Sequence, residues 1–279
     1  MNPGKTPTTS VFPNNEGRNV FYRNWATRNE PKGIVLIVHG LNSHSGYYEK
    51  FAAQLTENGY DVYAMDLRGR GMSEGERYYI GDYHDIVSDI DLLVDIARSA
   101  HPTIAIFLLG HSAGGVFASV YAVGNQDKLS GLISESIAFQ ISASGIAQAI
   151  IKFIGYVIPH MRLIRLKNKD FSRDKAMVDK MNNDPLLENE KQPARTMQQL
   201  FLAAAYLKKE MPHIKLPLLI LHGTADKATK STGSQYFMDH ASSTDKQLKL
   251  YEGYYHDLLN DKYNGIIIKD TIRWLNQRV

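Results

Sequence analysis

Three residue types in this chain could together perform nucleophilic chemistry: a serine, an acid and a histidine, in the order Ser112, Asp226, His256. Ser112 lies in Leu109-Gly110-His111-Ser112-Ala113-Gly114-Gly115. The apolar run Ile104-Ala105-Ile106-Phe107-Leu108 before it reads as a buried strand, and Val116 to Val123 after it reads as a packed helix. A serine between glycines at a strand-to-helix corner is a nucleophile elbow. The turn is tight, so a side chain at Gly110 or Gly114 would collide with its neighbours. The turn also sets the Ala113 N–H at a helix start, where a developing oxyanion is stabilised. A second G-x-S-x-G match, Gly71-Met72-Ser73-Glu74-Gly75, follows Arg68-Gly69-Arg70 rather than a strand and leads into Glu76-Arg77-Tyr78-Tyr79 rather than a small-residue helix. Ser73 is therefore read as a loop residue.

A serine hydroxyl needs a base, and the base needs an acid to fix its tautomer. In an open α/β sheet such groups stand at the carboxyl ends of strands. His256 follows the last strand, in Tyr251-Glu252-Gly253-Tyr254-Tyr255-His256-Asp257, and Asp226 follows the strand before it, in Leu221-His222-Gly223-Thr224-Ala225-Asp226. His84, His101, His160, His213 and His240 have no strand before them. His222 also ends a strand, but it precedes the acid and is assigned a structural role. Asp257 is too close in sequence to aim at the His256 ring, and Asp245 and Asp261 are expected in solvent. The second oxyanion donor falls to His39-Gly40-Leu41, with the Leu41 N–H as candidate, and His39 is expected to bond within its loop.

Those residues require a regular frame. Val20 to Trp25 suits an antiparallel entry strand, and Ile34 to Val38 is a near-continuous β-branched run of the kind found in central parallel strands. Tyr60 to Asp66 is the next strand, with amphipathic helices over Tyr48 to Glu57 and Tyr83 to Ser99. Leu129 to Ser134 follows the elbow helix. This alternation predicts a doubly wound, mostly parallel sheet of about eight strands flanked by helices. The rhythm then lapses until Leu216 to Leu221, too long an interval for a simple crossover. The interval predicts a helical insertion after the sixth strand, with residues 1–136 and 215–279 as core and 137–214 as a cap. The insertion opens with an apolar helix over 146–158, carries the basic residues Arg162, Arg165, Lys167 and Lys169, and holds a second helix from Met197 to Lys208. The basic residues read as a solvated face; Arg68 and Arg70 read as loop braces. Strand 247–251, a helix near 234–239 and a last helix over 263–277 complete the pattern. Residues 1–10, rich in Pro and Thr, are expected to be loosely held.

Composition narrows the classes. A chain of 279 residues with 43% hydrophobic content can bury a large core, and a formal charge of +3 gives no footing for nucleic acid. The absence of cysteine removes disulfides, thiolate metal sites and thiol catalysis. Met1 to Pro7 has no apolar signal region, and no apolar run is of transmembrane length, so the expectation is a cytoplasmic protein. The apolar cap helix is expected to roof an acyl channel and to make transient membrane-surface contact, peripheral to the bilayer.

At these residues the chain resembles the monoglyceride lipase and lysophospholipase group of α/β-hydrolases, of the serine aminopeptidase S33, hydrolase-4 type. The likeness lies in His39 to Tyr48, in Asp66 to Arg77 with its Ser-Glu-Gly-Glu-Arg stretch, at the elbow, in Ser172-Arg173-Asp174 through Asp184-Pro185-Leu186, and in His222 to Lys227 with the tail Leu250 to His256. It covers about residues 15 to 277. The resemblance implies an α/β-hydrolase core with a cap, no metal and no cofactor. It implies ester hydrolysis through an acyl-enzyme, with monoacylglycerol of medium or long acyl length the first expectation. Lysophospholipid hydrolysis, short-chain carboxylesterase activity and acyl transfer stay open as alternatives. Animal members carry Glu at the position of Ser43 and Arg at that of Tyr47, lining the glycerol side. Ser43 and Tyr47 are thus expected substrate contacts, with Ile150 and Ile154 of the cap helix on the acyl side.

Overall fold

The computed structural model describes residues 6–141 and 144–279. In chain order the elements are β1 (Thr8–Pro13), β2 (Asn19–Trp25), β3 (Gly33–Val38), α1 (Glu49–Glu57), β4 (Tyr60–Met65), α2 (Tyr83–Ala100), β5 (Ile106–His111), α3 (Ala113–Gly124) and β6 (Gly131–Glu135). Next come α4 (Gly145–Val157), β7 (Arg162–Ile164), α5 (Lys175–Asn182), β8 (Gln192–Pro193) and α6 (Ala194–Glu210). The chain closes with β9 (Leu218–Gly223), α7 (Ser231–His240), β10 (Lys246–Tyr251) and α8 (Gly265–Asn276).

Eight strands form one sheet in the order β1-β2-β4-β3-β5-β6-β9-β10. The β1–β2 and β2–β4 pairs are antiparallel and the rest are parallel. β3, β4, β5, β6 and β9 are buried along their whole length, as parallel strands covered on both faces must be. Successive side chains divide between the two faces. Ile34, Leu36 and Val38 pack with Ile86, Ile90 and Leu93 of α2 and Val116 and Phe117 of α3, whereas Val35 and Ile37 pack with Phe51 and Leu55 of α1 and Ile267 and Trp274 of α8.

The segment between β6 and β9 holds α4, α5, α6 and the small antiparallel β7–β8 ribbon. The sequence assigned no element to α5 or to the ribbon, since neither has a long apolar periodicity. β1 corrects the expectation that residues 1–10 are loose, although residues 1–5 lie outside those described. Thr8 to Pro13 pair in register with Asn19 to Asn24 at the sheet edge. Of the β1 residues only Phe12 is buried, so β1 carries no alternation to read. Among the described residues, no helix is long and apolar enough to cross a membrane.

Candidate active site

β5 ends at His111 and α3 begins at Ala113, leaving Ser112 at the corner with φ 57° and ψ −120°. This is a strained conformation for a residue with a side chain. It is sustained by close approach on both sides. A Cβ on Gly114 would stand 2.2 Å from the Val38 carbonyl oxygen and 2.4 Å from that of His39. One on Gly110 would stand 2.5 Å from the Gly114 carbonyl oxygen. The Ser112 N–H donates to the Glu135 carbonyl on neighbouring β6 at 2.9 Å.

Three loops bring their side chains to one line. His256 Nε2 lies 2.8 Å from Ser112 Oγ, and His256 Nδ1 lies 2.7 Å from Asp226 Oδ2. With Nδ1 protonated toward the carboxylate, Nε2 is free to accept the serine proton. Asp226 is well supplied with donors. Ala228 N–H and Thr229 N–H donate to Oδ1 at 2.7 and 2.9 Å, and the Thr229 hydroxyl donates to Oδ2 at 2.7 Å. Burial alone would raise the Asp226 carboxyl, but the charge of His256 and hydrogen bonds from His222, His256 and Thr229 hold it far below the ordinary range. It is the ionised acid of the group.

The loop after β3 passes directly over this corner. A Cβ on Gly40 would lie 3.0 Å from Ser112 Cβ, so the chain carrying Leu41 comes as near as a glycine permits. His39 anchors it: Leu67 N–H donates to His39 Nε2 at 2.9 Å, and His39 Nδ1 lies 2.6 Å from the Gly40 carbonyl. Burial lowers the His39 imidazole to about 4, which keeps it neutral. Arg70 is fully buried and donates to the Leu41 carbonyl at 2.9 Å, to the Tyr78 carbonyl at 3.1 Å and to Gln192 at 2.7 Å. Arg68 pairs with Asp89 at 2.6 Å. Both arginines act as braces. Ser73 Oγ donates to the Asp66 carbonyl at 2.6 Å and accepts from Phe21 N–H, so it is a loop fastening.

The remaining expected site residues lie in different settings. Ser43 and Tyr47 are buried in the turn after Leu41. The Tyr47 hydroxyl donates to Asp184 Oδ2 at 2.6 Å, and the same oxygen lies 2.8 Å from His44 Nε2. Ile154 is half-buried on α4, whereas Ile150 is 54% exposed.

Several partners escaped the sequence. His222 Nε2 lies 3.1 Å from Asp226 Oδ2, so the acid is shared by two imidazoles; the i,i+4 spacing was the available signal. Phe171 meets the His256 ring edge-on at 4.9 Å, and its carbonyl accepts Asp257 N–H at 2.8 Å. Asp261 is not solvated as expected. It is buried and pairs with Arg173 at 2.8 Å while accepting from Tyr255 N–H. Asp245 is 49% exposed and pairs with Arg278.

Against known proteins, the family model described as serine aminopeptidase, S33 matches residues 29–263. The monoglyceride lipase of Mus musculus is 34% identical over 271 residues, covering 95% of this chain and 89% of the mouse protein. The monoacylglycerol lipase of Mycolicibacterium smegmatis is 30% identical over 261 residues, with 93% of each covered. The crystal structure of Paleococcus ferrophilus monoacylglycerol lipase superposes with a TM-score of 0.84 at 29% identity, over 93% of this chain and 99% of that one. A monoglyceride lipase variant from Saccharomyces cerevisiae shares the fold with a TM-score of 0.89 at 24% identity, over 99% of this chain and 97% of that one. An eight-stranded α/β core matched over nearly its full length by these relatives places the chain in the serine aminopeptidase S33 (hydrolase-4) family of α/β-hydrolases, within its monoglyceride lipase group.

Proposed function

We propose that this protein hydrolyses carboxylic esters, with monoacylglycerols of medium or long acyl chain as its substrates, releasing fatty acid and glycerol. The observation that carries the reading is the unbroken relay Ser112–His256–Asp226, with contacts of 2.8 and 2.7 Å. Ser112 Oγ attacks the ester carbonyl as its proton passes to His256 Nε2. The tetrahedral oxyanion is met by the N–H groups of Ala113 and Leu41. His256 returns the proton to the leaving glycerol oxygen, leaving an acyl group on Ser112. Water, deprotonated by the same imidazole, then frees the acid. Asp226 stays ionised throughout and stabilises the imidazolium.

Residues 137–214 serve as the cap in this reading. A cleft of about 330 Å³ between α4 and α6 has an apolar side of Ala138, Phe139, Ile141, Phe201 and Ala204 and a polar rim of Gln140, Gln148, Lys152, Lys208 and Lys230. Ala138, on the apolar side, donates its N–H to the Ser112 carbonyl at 3.0 Å, which ties that side of the cleft to the backbone of the nucleophile. This supports an acyl chain there, with Ser43 and Tyr47 toward the alcohol. The outward side of α4 supports transient contact with a lipid surface: Ile146, Phe153 and Tyr156 are 76%, 69% and 78% exposed.

Fluorophosphonate labelling and a panel of monoacylglycerols, lysophosphatidylcholines and short p-nitrophenyl esters test the reading. Ser112→Ala is expected to lose both labelling and turnover. Labelling that survives in this variant overturns the nucleophile. Faster turnover of acetate and butyrate esters than of long-chain glycerides overturns the substrate.

A further inference from the structure

Charge is unevenly placed along this chain. Its 32 Lys and Arg nearly balance its 29 Asp and Glu, yet from Ser136 to Lys169 there is no acid. That stretch holds Lys152, Arg162, Arg165, Lys167 and Lys169, and all five are exposed. It is also the stretch that contains α4, with Ile146, Phe153 and Tyr156 turned to solvent.

No carboxylate takes up these charges. Among the described residues none of the five forms an ion pair. Arg162 donates instead to the Arg77 carbonyl at 3.3 Å, with its guanidinium 5.8 Å from the centre of the Tyr78 ring. Arg165 lies toward Glu190, but that carboxylate is buried and already accepts Leu166 N–H at 3.2 Å and Gln192 Nε2. By contrast Lys128, just past α3, meets Asp91 and Asp95 at 2.6 and 3.1 Å.

The fold gathers the unpaired cations around α4. On one flank Lys152 shares the cleft beside α6 with Lys208 and Lys230, and no described acid lines it. Past the C-terminal end of α4, Arg165, Lys167 and Lys169 line one depression of about 430 Å³, where the acids are Glu188 and the buried Glu190. Between these two places His160 meets Glu76 at 3.0 Å. Lys152 adjoins Phe153 in the chain, and Arg162 follows the exposed Met161, so cations and apolar groups approach one surface together.

An apolar helix face partitions into a bilayer interface whatever its headgroups, whereas cations around it discriminate. Each Lys or Arg brought close to an anionic leaflet tightens binding by about fivefold, and the gain decays over a Debye length of about 10 Å at 0.1 M salt. A formal charge of +3 spread over the whole chain would attract little; the asymmetry supplies the attraction.

We propose that this face docks selectively on anionic lipid bilayers, with Phe153 and Tyr156 in the interface and Lys152, Arg162, Arg165, Lys167 and Lys169 on the phosphates of acidic headgroups. The proposal rests on the reading of α4 as the contact with a lipid surface and is independent of which ester is hydrolysed.

Co-sedimentation of the full chain with vesicles tests it, using phosphatidylcholine alone and phosphatidylcholine with about 30% phosphatidylglycerol. Wild type is expected to bind the anionic vesicles at least about tenfold more tightly at low salt, and the difference is expected to shrink to about twofold or less near about 0.5 M salt. Arg165→Gln with Lys167→Gln and Lys169→Gln is expected to lose most of that preference while keeping its affinity for phosphatidylcholine. Lys50→Gln with Lys262→Gln and Lys269→Gln removes the same charge from exposed positions outside the stretch and is expected to keep the preference. Thermal unfolding checks that both variants fold, and Lys152→Gln with Arg162→Gln carries the test if the first does not. Equal binding of wild type to the two vesicles, or equal losses in the two triple variants, overturns the proposal. Loss of the preference to millimolar inorganic phosphate at matched ionic strength makes the cations a site for the free ion instead. Wild type that binds neither vesicle overturns the reading of α4 itself, a result distinct from binding without preference.

Discussion

At the scale of single residues, Asp226 is the most heavily bonded group of the site, with donors from His256, His222, Thr229 and Ala228. An amide there would turn an N–H₂ toward one of those donors and disfavour the tautomer that leaves Nε2 open. Asp226→Asn is therefore expected to lower kcat by about 10³- to 10⁴-fold with a smaller change in KM, as steady-state kinetics on a soluble ester would read. A loss of only a few-fold would mean that His222 and Thr229 hold the ring in register without the charge. Asp226 and His256 were legible in the sequence because each ends a strand that can be recognised by its apolar run. The sharing of Asp226 with His222 was not, because ring direction depends on Ser234 of α7, 2.7 Å from His222 Nδ1. Burial of Asp261 was likewise hidden, since its partner Arg173 is 88 positions away in the chain.

At the scale of elements, the elbow is a packing problem solved by glycine. The oxygens that a Gly114 methyl would strike, at 2.2 and 2.4 Å, belong to the backbone of β3 and the loop after it, which cannot yield without opening the sheet. Gly114→Ala is expected to cost at least about 3 kcal/mol in urea or thermal unfolding. Gly124→Ala, at the other end of the same helix, has nothing within 4 Å of its added carbon. It is expected to stay within about 0.5 kcal/mol of wild type. Equal losses in the two would show that helix α3, not the corner, sets the cost. Central strands were readable because burial on both faces forces continuous β-branched runs. β1 and the β7–β8 ribbon were not, because edge pairing relies on backbone hydrogen bonds that leave no mark in side-chain pattern.

At the scale of the whole molecule, one side presents a large apolar surface to solvent. Phe153 and Tyr156 of α4 stand out from a chain whose formal charge is only +3. Phe153→Ser with Tyr156→Ser is expected to reduce co-sedimentation with lipid vesicles at least about threefold while leaving turnover of a soluble ester near wild type. Undiminished sedimentation would move the contact away from α4. The attachment of this surface to the core is uneven. Asp184 bonds to His44 and Tyr47, Glu188 to Tyr78, Gln192 to Arg70 and Arg173 to Asp261. Each of these residues of the segment between β6 and β9 comes after α4, which rests on α6 through Gly155, where a methyl would meet the Ala194 carbonyl at 2.8 Å. In mechanical terms this segment is pinned to the core along 173–192, and α4 is pinned in turn to α6, where Gln198 Nε2 donates to the Lys152 carbonyl at 2.8 Å. Arg70 is one of the pins, and the same guanidinium holds the Leu41 carbonyl. One buried guanidinium therefore ties Gln192 of this segment to the loop that passes over Ser112, so a displacement of either is felt by the other.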